Sequence, residues 1–139
     1  MKFTILGCGS SMGVPRSDGF FGNCDPKNKK NYRTRCSALI QTQSENVLID
    51  TSPDLRQQLI NNKVKKIDKV FYSHMHADQT HGINDLRVFY IQNKKTIRIY
   101  RDSFFVLDIK NSQIINSMSL ISMHMRIKNF IYFFNFIVN

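Results

Sequence analysis

Val70-Phe71-Tyr72-Ser73-His74-Met75-His76-Ala77-Asp78-Gln79-Thr80-His81-Gly82 is a short apolar run that ends abruptly in two histidines and an aspartate at alternate positions. Alternate residues of an extended chain project to one side. His74 and His76 can therefore hold one ion, and Asp78, just past the strand end, can reach the same place. Two imidazoles and a carboxylate suit zinc or a similar first-row ion. A chance grouping is the competing explanation. The spacing, the β-type run before it and the acidic third member all speak against chance.

Upstream, Val47 to Ile49 reads as a short buried strand. Ser52-Pro53-Asp54 reads as a helix start, with an N-cap, a proline at the first position and a carboxylate at the positive helix end. Leu55, Leu59 and Ile60 give that helix an apolar stripe, and Asn61-Asn62 ends it. Ile67 to Tyr72 is the next strand. The chain thus passes strand, helix, strand and delivers His74 at a carboxyl end, where α/β proteins place their sites. Asp50 ends the neighbouring strand, where its carboxylate either orients a ligand imidazole from behind or caps the turn before Ser52. At the amino terminus, Lys2 to Leu6 alternates like a strand and runs into the glycine-rich turn Gly7-Cys8-Gly9-Ser10-Ser11-Met12-Gly13-Val14-Pro15.

His-x-His-x-Asp after a strand resembles the signature of the metallo-β-lactamase superfamily. The glycine-rich opening, Cys36-Ser37-Ala38-Leu39-Ile40, the segment Asn46 to Arg56 and His81-Gly82-Ile83-Asn84-Asp85-Leu86-Arg87 resemble its phosphodiesterase branch. That branch includes transfer-RNA 3′-end endonucleases and a phosphoribosyl cyclic phosphodiesterase. The resemblance implies the N-terminal half of an α/β fold, an incomplete αββα sandwich. It also implies Zn2+ or Mn2+, one or two ions, with His74 and His76 on the first and Asp78 toward a second. The family's usual form has a histidine directly after the aspartate, where this chain has Gln79. A neutral amide is a weaker ligand than imidazole, which favours one metal alone or a loosely bound second one, with His81 as a substitute if the loop turns suitably. Asp78 is the candidate catalytic group, and Arg87 either meets a substrate phosphate or pairs with Asp85.

With 139 residues, one domain is expected. Lysine and arginine number 20 against 10 acidic residues, for a net charge of +10, which favours anionic partners such as a small phosphate ester or an RNA end. The densest basic run, Lys27 to Arg35, reads as a solvated face or a polyanion contact. The cysteines Cys8, Cys24 and Cys36 are odd in number and sparsely spaced, which argues against a disulfide framework and for a reducing, cytoplasmic setting. Phe3 to Leu6 is too short for a signal-peptide core, and Phe130 to Val138 is too short to span a membrane.

All glycines and prolines lie at or before Gly82. Residues 1–100 carry the resemblance. Residues 101–139 form an unmatched tail of the composition that a frameshifted, A+T-rich reading frame produces, and a truncated product is expected. Relatives draw a further histidine, a bridging aspartate and a final histidine from their later half, and His124 lacks the setting of such a ligand. Three readings follow. The first is a metal-dependent hydrolase in which an activated water attacks phosphorus, with a cyclic ribose phosphate as one candidate substrate. The others are an inactive remnant of such an enzyme and a basic nucleic-acid-binding module. The sequence specifies no oligomeric state.

Overall fold

A short turn at residues 42–45 lets the chain reverse between two of its strands. Thr42 Oγ1 holds the turn by accepting the N–H groups of Ser44 and Glu45. The computed structural model describes residues 1–101 and 105–109. In them β1 (Lys2–Gly7), β2 (Ser37–Gln41), β3 (Asn46–Ile49), β4 (Lys69–Tyr72), β5 (Ile97–Arg101) and β6 (Phe105–Ile109) form one sheet in chain order. The β1–β2, β2–β3 and β5–β6 pairs are antiparallel, whereas β3–β4 and β4–β5 are parallel. Parallel neighbours need crossovers. The first carries α1 (Leu55–Asn61), and the second carries α2 (Ala77–Thr80), a 3-10 segment (His81–Leu86) and α3 (Arg87–Asn93).

Register sets the core. Leu39 faces Leu48, Leu48 faces Val70 and Val70 faces Ile99, so one apolar row crosses four strands. Leu55 and Leu59 from α1, with Leu86 and Phe89 from the second crossover, cover this face. Leu48, Leu55, Val70 and Leu86 are fully buried. Each such side chain contributes about 1.5–3 kcal/mol over an exposed one. The opposite face carries Ile40 and Val47 in one row and Phe71 stacked on Tyr100, with ring centroids 4.6 Å apart, in the next. A sheet apolar on both faces is the kind that layers cover on both sides.

The expected α/β class holds, with three local corrections. The helix begins at Leu55 with Asp54 as its cap residue, rather than at Pro53 behind Ser52. The Asp54 carboxylate makes no cap bond and is instead held by Arg35, and the helix starts two residues later than expected. Ile60 is 55% exposed, and Gln58 takes its place on the buried face. Gln58 can be buried because its amide is satisfied, donating to Thr34 Oγ1 and the Arg35 carbonyl and accepting from Ser52 Oγ. Finally, β4 starts at Lys69, since the Asp68 carboxylate turns aside to accept the Asn46 N–H and pair with Lys66 and Lys95.

β6 falls within the stretch expected to be an unmatched tail, and it pairs along β5 from Ile97 to Arg101. The readings of His124 and of Phe130 to Val138 lie outside the described residues. Among the described residues no helix is long and apolar enough to cross a membrane.

Candidate metal centre

The loop after β4 is tied to the loop after β3 by buried hydrogen bonds. Thr51 N–H donates to the Gln79 carbonyl at 2.6 Å, and Gly82 N–H donates to the Thr51 carbonyl at 2.9 Å. Thr51 Oγ1 lies 2.7 Å from the Tyr72 hydroxyl and 3.1 Å from the carbonyls of Gln79 and Thr80. Burial pushes the Tyr72 phenol well above its ordinary pKa, so it stays protonated as a donor. Glycine at position 82 is required by the packing: a Cβ there would sit 2.1 Å from the Ser52 carbonyl oxygen and 2.7 Å from Leu55 Cβ.

Asp50 sits at the end of β3 with φ at 60°, a left-handed conformation that aspartate tolerates better than most residues. Its carboxylate accepts the Ser73 N–H at 2.7 Å and the Ser73 hydroxyl at 2.6 Å. Ser73 Oγ in turn lies 3.1 Å from His74 Nδ1. The single hydroxyl proton is committed to Asp50, so Ser73 Oγ receives Nδ1–H and the lone pair of His74 stays on Nε2. Asp50 thus acts on the imidazole through Ser73, one residue further away than the sequence suggested. Burial raises the Asp50 carboxyl above its ordinary value, and the Ser73 bonds pull it back down.

Beyond Ser73 the chain is extended to His76 and then turns into α2, which places Asp78 in its first turn. One ligand atom from each of His74, His76 and Asp78 lies within 4.8 Å of the others. The two imidazoles stand edge to face with centroids 4.7 Å apart, His76 being exposed and the other two half-buried. Gln79 is buried, and its Nε2 donates to Asp78 Oδ2 at 2.8 Å, while its Oε1 is buried without a hydrogen-bond partner among the described residues. The donor set fits one divalent ion, because two imidazoles and a carboxylate converge and Ser73 takes up the other ring nitrogen of His74. Ser73 and the Gln79 clasp were not singled out from sequence. The signal was a hydroxyl directly before the first histidine and an amide directly after the aspartate.

His81 stands apart from this group. It opens the 3-10 segment, is exposed between buried Thr80 and Gly82, and is not among the three residues whose ligand atoms converge. Arg87 is exposed at the start of α3, with no ion pair to Asp85. The glycine turn packs on the same end of the sheet, where a Cβ on Gly7 would sit 2.2 Å from the Arg35 carbonyl oxygen. From Gly22 to Lys30 every residue is exposed.

A family profile described as the beta-lactamase superfamily domain matches residues 45–126. A curated relative from Porphyromonas gingivalis (strain ATCC BAA-308 / W83), named octanoyltransferase, is 39% identical over 88 residues, 63% of this chain and 18% of that protein. Among solved structures, a diphosphatase from the PhnP family is similar at 38% identity and a TM-score of 0.61, over 67% of this chain and 37% of the other. The short form of human tRNase Z is similar at 26% identity and a TM-score of 0.52, over 72% of this chain and 34% of the other. The chain spans little more than a third of these solved relatives and under a fifth of the curated one.

Proposed function

The chain belongs to the beta-lactamase superfamily, and on that premise we propose that it is built for metal-dependent hydrolysis of phosphodiesters. The α/β sheet with the His74, His76 and Asp78 loop after β4 matches that superfamily's fold, present here in part. The observation that carries the proposal is the convergence of His74, His76 and Asp78, with His74 fixed through Ser73 and Asp50. Likeness to a diphosphatase and to a tRNase supports phosphorus rather than carbonyl carbon as the reacting centre. The octanoyltransferase matches over too small a share of its length to lend its activity.

A Zn2+ or Mn2+ ion held by these residues would supply Lewis acidity, which lowers the pKa of water toward ~7 and draws charge from a phosphoryl oxygen. His74 offers Nε2 because Ser73 occupies its other nitrogen. Asp78 keeps one oxygen on the Gln79 amide, which fixes the carboxylate plane and leaves the other oxygen to orient the attacking water. Gln79 also fills the position from which the family's usual histidine would reach a second ion, so the proposal is one ion per chain. The substrate is a small phosphate ester or an RNA end, drawn by the net charge of +10.

Turnover of a generic aryl phosphodiester, compared between wild type and His74→Ala with added Zn2+ or Mn2+, tests this. Metal-dependent turnover that vanishes in the variant is expected; equal background rates in both would refute hydrolysis by this chain. A second reading, polyanion binding without chemistry, draws on the exposed basic stretch around Lys27, Lys29 and Lys30. Single-stranded RNA binding that is abolished by replacing those lysines and unaffected by His74→Ala would favour it.

A further inference from the structure

Three thiols are free in the described residues, and two of them, Cys8 and Cys36, flank the pair that ends the β1–β2 ladder. Gly7 pairs antiparallel with Ser37 across β1 and β2, and Gly9 forms an isolated parallel bridge with Arg35. Cys8 lies between the two glycines, and Cys36 lies between their two partners. Cys8 directly follows Gly7 and Cys36 directly precedes Ser37, the last pair of that ladder, and a disulfide needs Cα atoms about 4.4–6.8 Å apart. Cys36 Sγ is 3.2 Å from the Gly9 carbonyl oxygen, so its side chain already leans toward the backbone that carries Cys8. Both residues are exposed, which gives an oxidant access. Cys24 lies elsewhere, in the exposed turn that its N–H closes onto the Phe21 carbonyl.

We propose that Cys8 and Cys36 form a reversible intramolecular disulfide that fastens the glycine turn to the start of β2 at the rim of the candidate metal centre. The reaction is thiol–disulfide exchange with a small-molecule disulfide. The Cys8 thiolate attacks one sulfur of the reagent, whose S–S bond breaks to release a first thiolate. The Cys36 thiolate then attacks the Cys8 sulfur and expels the second. The two cysteines lose two electrons, the reagent is reduced to two thiols, and the protons from Cys8 and Cys36 pass to them. Burial pushes the Cys36 thiol up, with Cys8, Asp50 and Asp78 adding to the effect. Exposed Cys8 is therefore the first attacker, and Cys36 the resolving partner.

The linkage has a direct structural consequence. Ser37, next to Cys36, donates its hydroxyl toward the carbonyls of Ile49 and Asp50, and Arg35, on the other side, holds Asp54. A bond at Cys36 therefore acts on the loop whose Asp50 fixes Ser73 and His74. The disulfide itself does not depend on the metal reading, since it requires only the two thiols.

The test uses the full chain, reduced, then exposed to oxidised glutathione, acid-quenched, alkylated and mapped by mass spectrometry without reduction. Two of the three cysteines should become unavailable to alkylation, with the Cys8 and Cys36 peptides linked and Cys24 alkylated. Cys24→Ser should behave like wild type, whereas Cys8→Ser and Cys36→Ser should stop at a glutathione adduct. A linkage that includes Cys24, or wild-type chain that accumulates only glutathione adducts, would overturn the proposal.

Discussion

Residues 73–82 and residues 8–36 both leave the same end of the sheet, yet they are held in opposite ways. The first segment is short, and its backbone is laid on the β3–α1 loop by Thr51, Gly82 and the Asp50–Ser73 pair, with Gln79, Thr80 and Gly82 buried. The second is long and largely exposed, closed by its own turns and joined to the body mainly through Thr34, Arg35 and Gln58. Arg16 and Asp18 pair with each other in solvent, where an ion pair adds little. The three candidate metal ligands all lie on the tightly held segment. The long segment can change sequence or partner at small cost to the fold.

Breaking the rigid segment should have the largest effects. His74→Ala is expected to abolish metal retention and metal-dependent turnover while leaving the thermal melt of metal-free protein nearly unchanged; equilibrium dialysis with elemental analysis checks this. Gly82→Ala should destabilise the metal-free fold by about 3 kcal/mol in urea unfolding, since its methyl group would have to displace backbone at Ser52. Ser73→Ala keeps all three ligands but frees His74 Nδ1. Metal affinity should fall roughly 10–100-fold, the usual cost of losing such an orienting partner.

Smaller effects sharpen the contrast. Asp54 is held below its ordinary pKa chiefly by the Arg35 hydrogen bonds, with burial acting against them. A depressed carboxylate adds stability above its unfolded pKa of ~3.9 and loses it as pH falls through the lower folded value. Asp54→Asn should therefore cost on the order of 1 kcal/mol at pH 7. The cost should shrink toward zero in acid, as read from urea midpoints between pH 7 and pH 2. Replacing Lys29 and Lys30 with alanine should change stability by no more than ~0.5 kcal/mol, because neither side chain is buried.

Much of this was legible in the chain. His74, His76 and Asp78 announce themselves because ligand spacing on a strand end is a local property, and the βαβ rhythm from Val47 to Tyr72 follows from apolar runs and the Ser-Pro-Asp turn. The start of α1 was misplaced because Asp54 is claimed by Arg35, nineteen positions away, a pairing that no local pattern encodes. Ile60 misled for a related reason: Gln58 becomes a core residue only once Thr34, Arg35 and Ser52 surround its amide. The proximity of Cys8 and Cys36 likewise depends on the β1–β2 register, with its irregularity between Ile5 and Gly7.

The central claim is that residues 74–78 hold one divalent ion in a preorganised site. Its most direct test is the metal content per folded chain after exhaustive dialysis, read with a thermal melt in the presence and absence of chelator, for wild type and His74→Ala. The account predicts close to one zinc or manganese per wild-type chain, a melt that chelator lowers, and neither property in the variant. Wild-type chain that melts cooperatively with no bound metal, or a variant that retains as much metal as wild type, would contradict it.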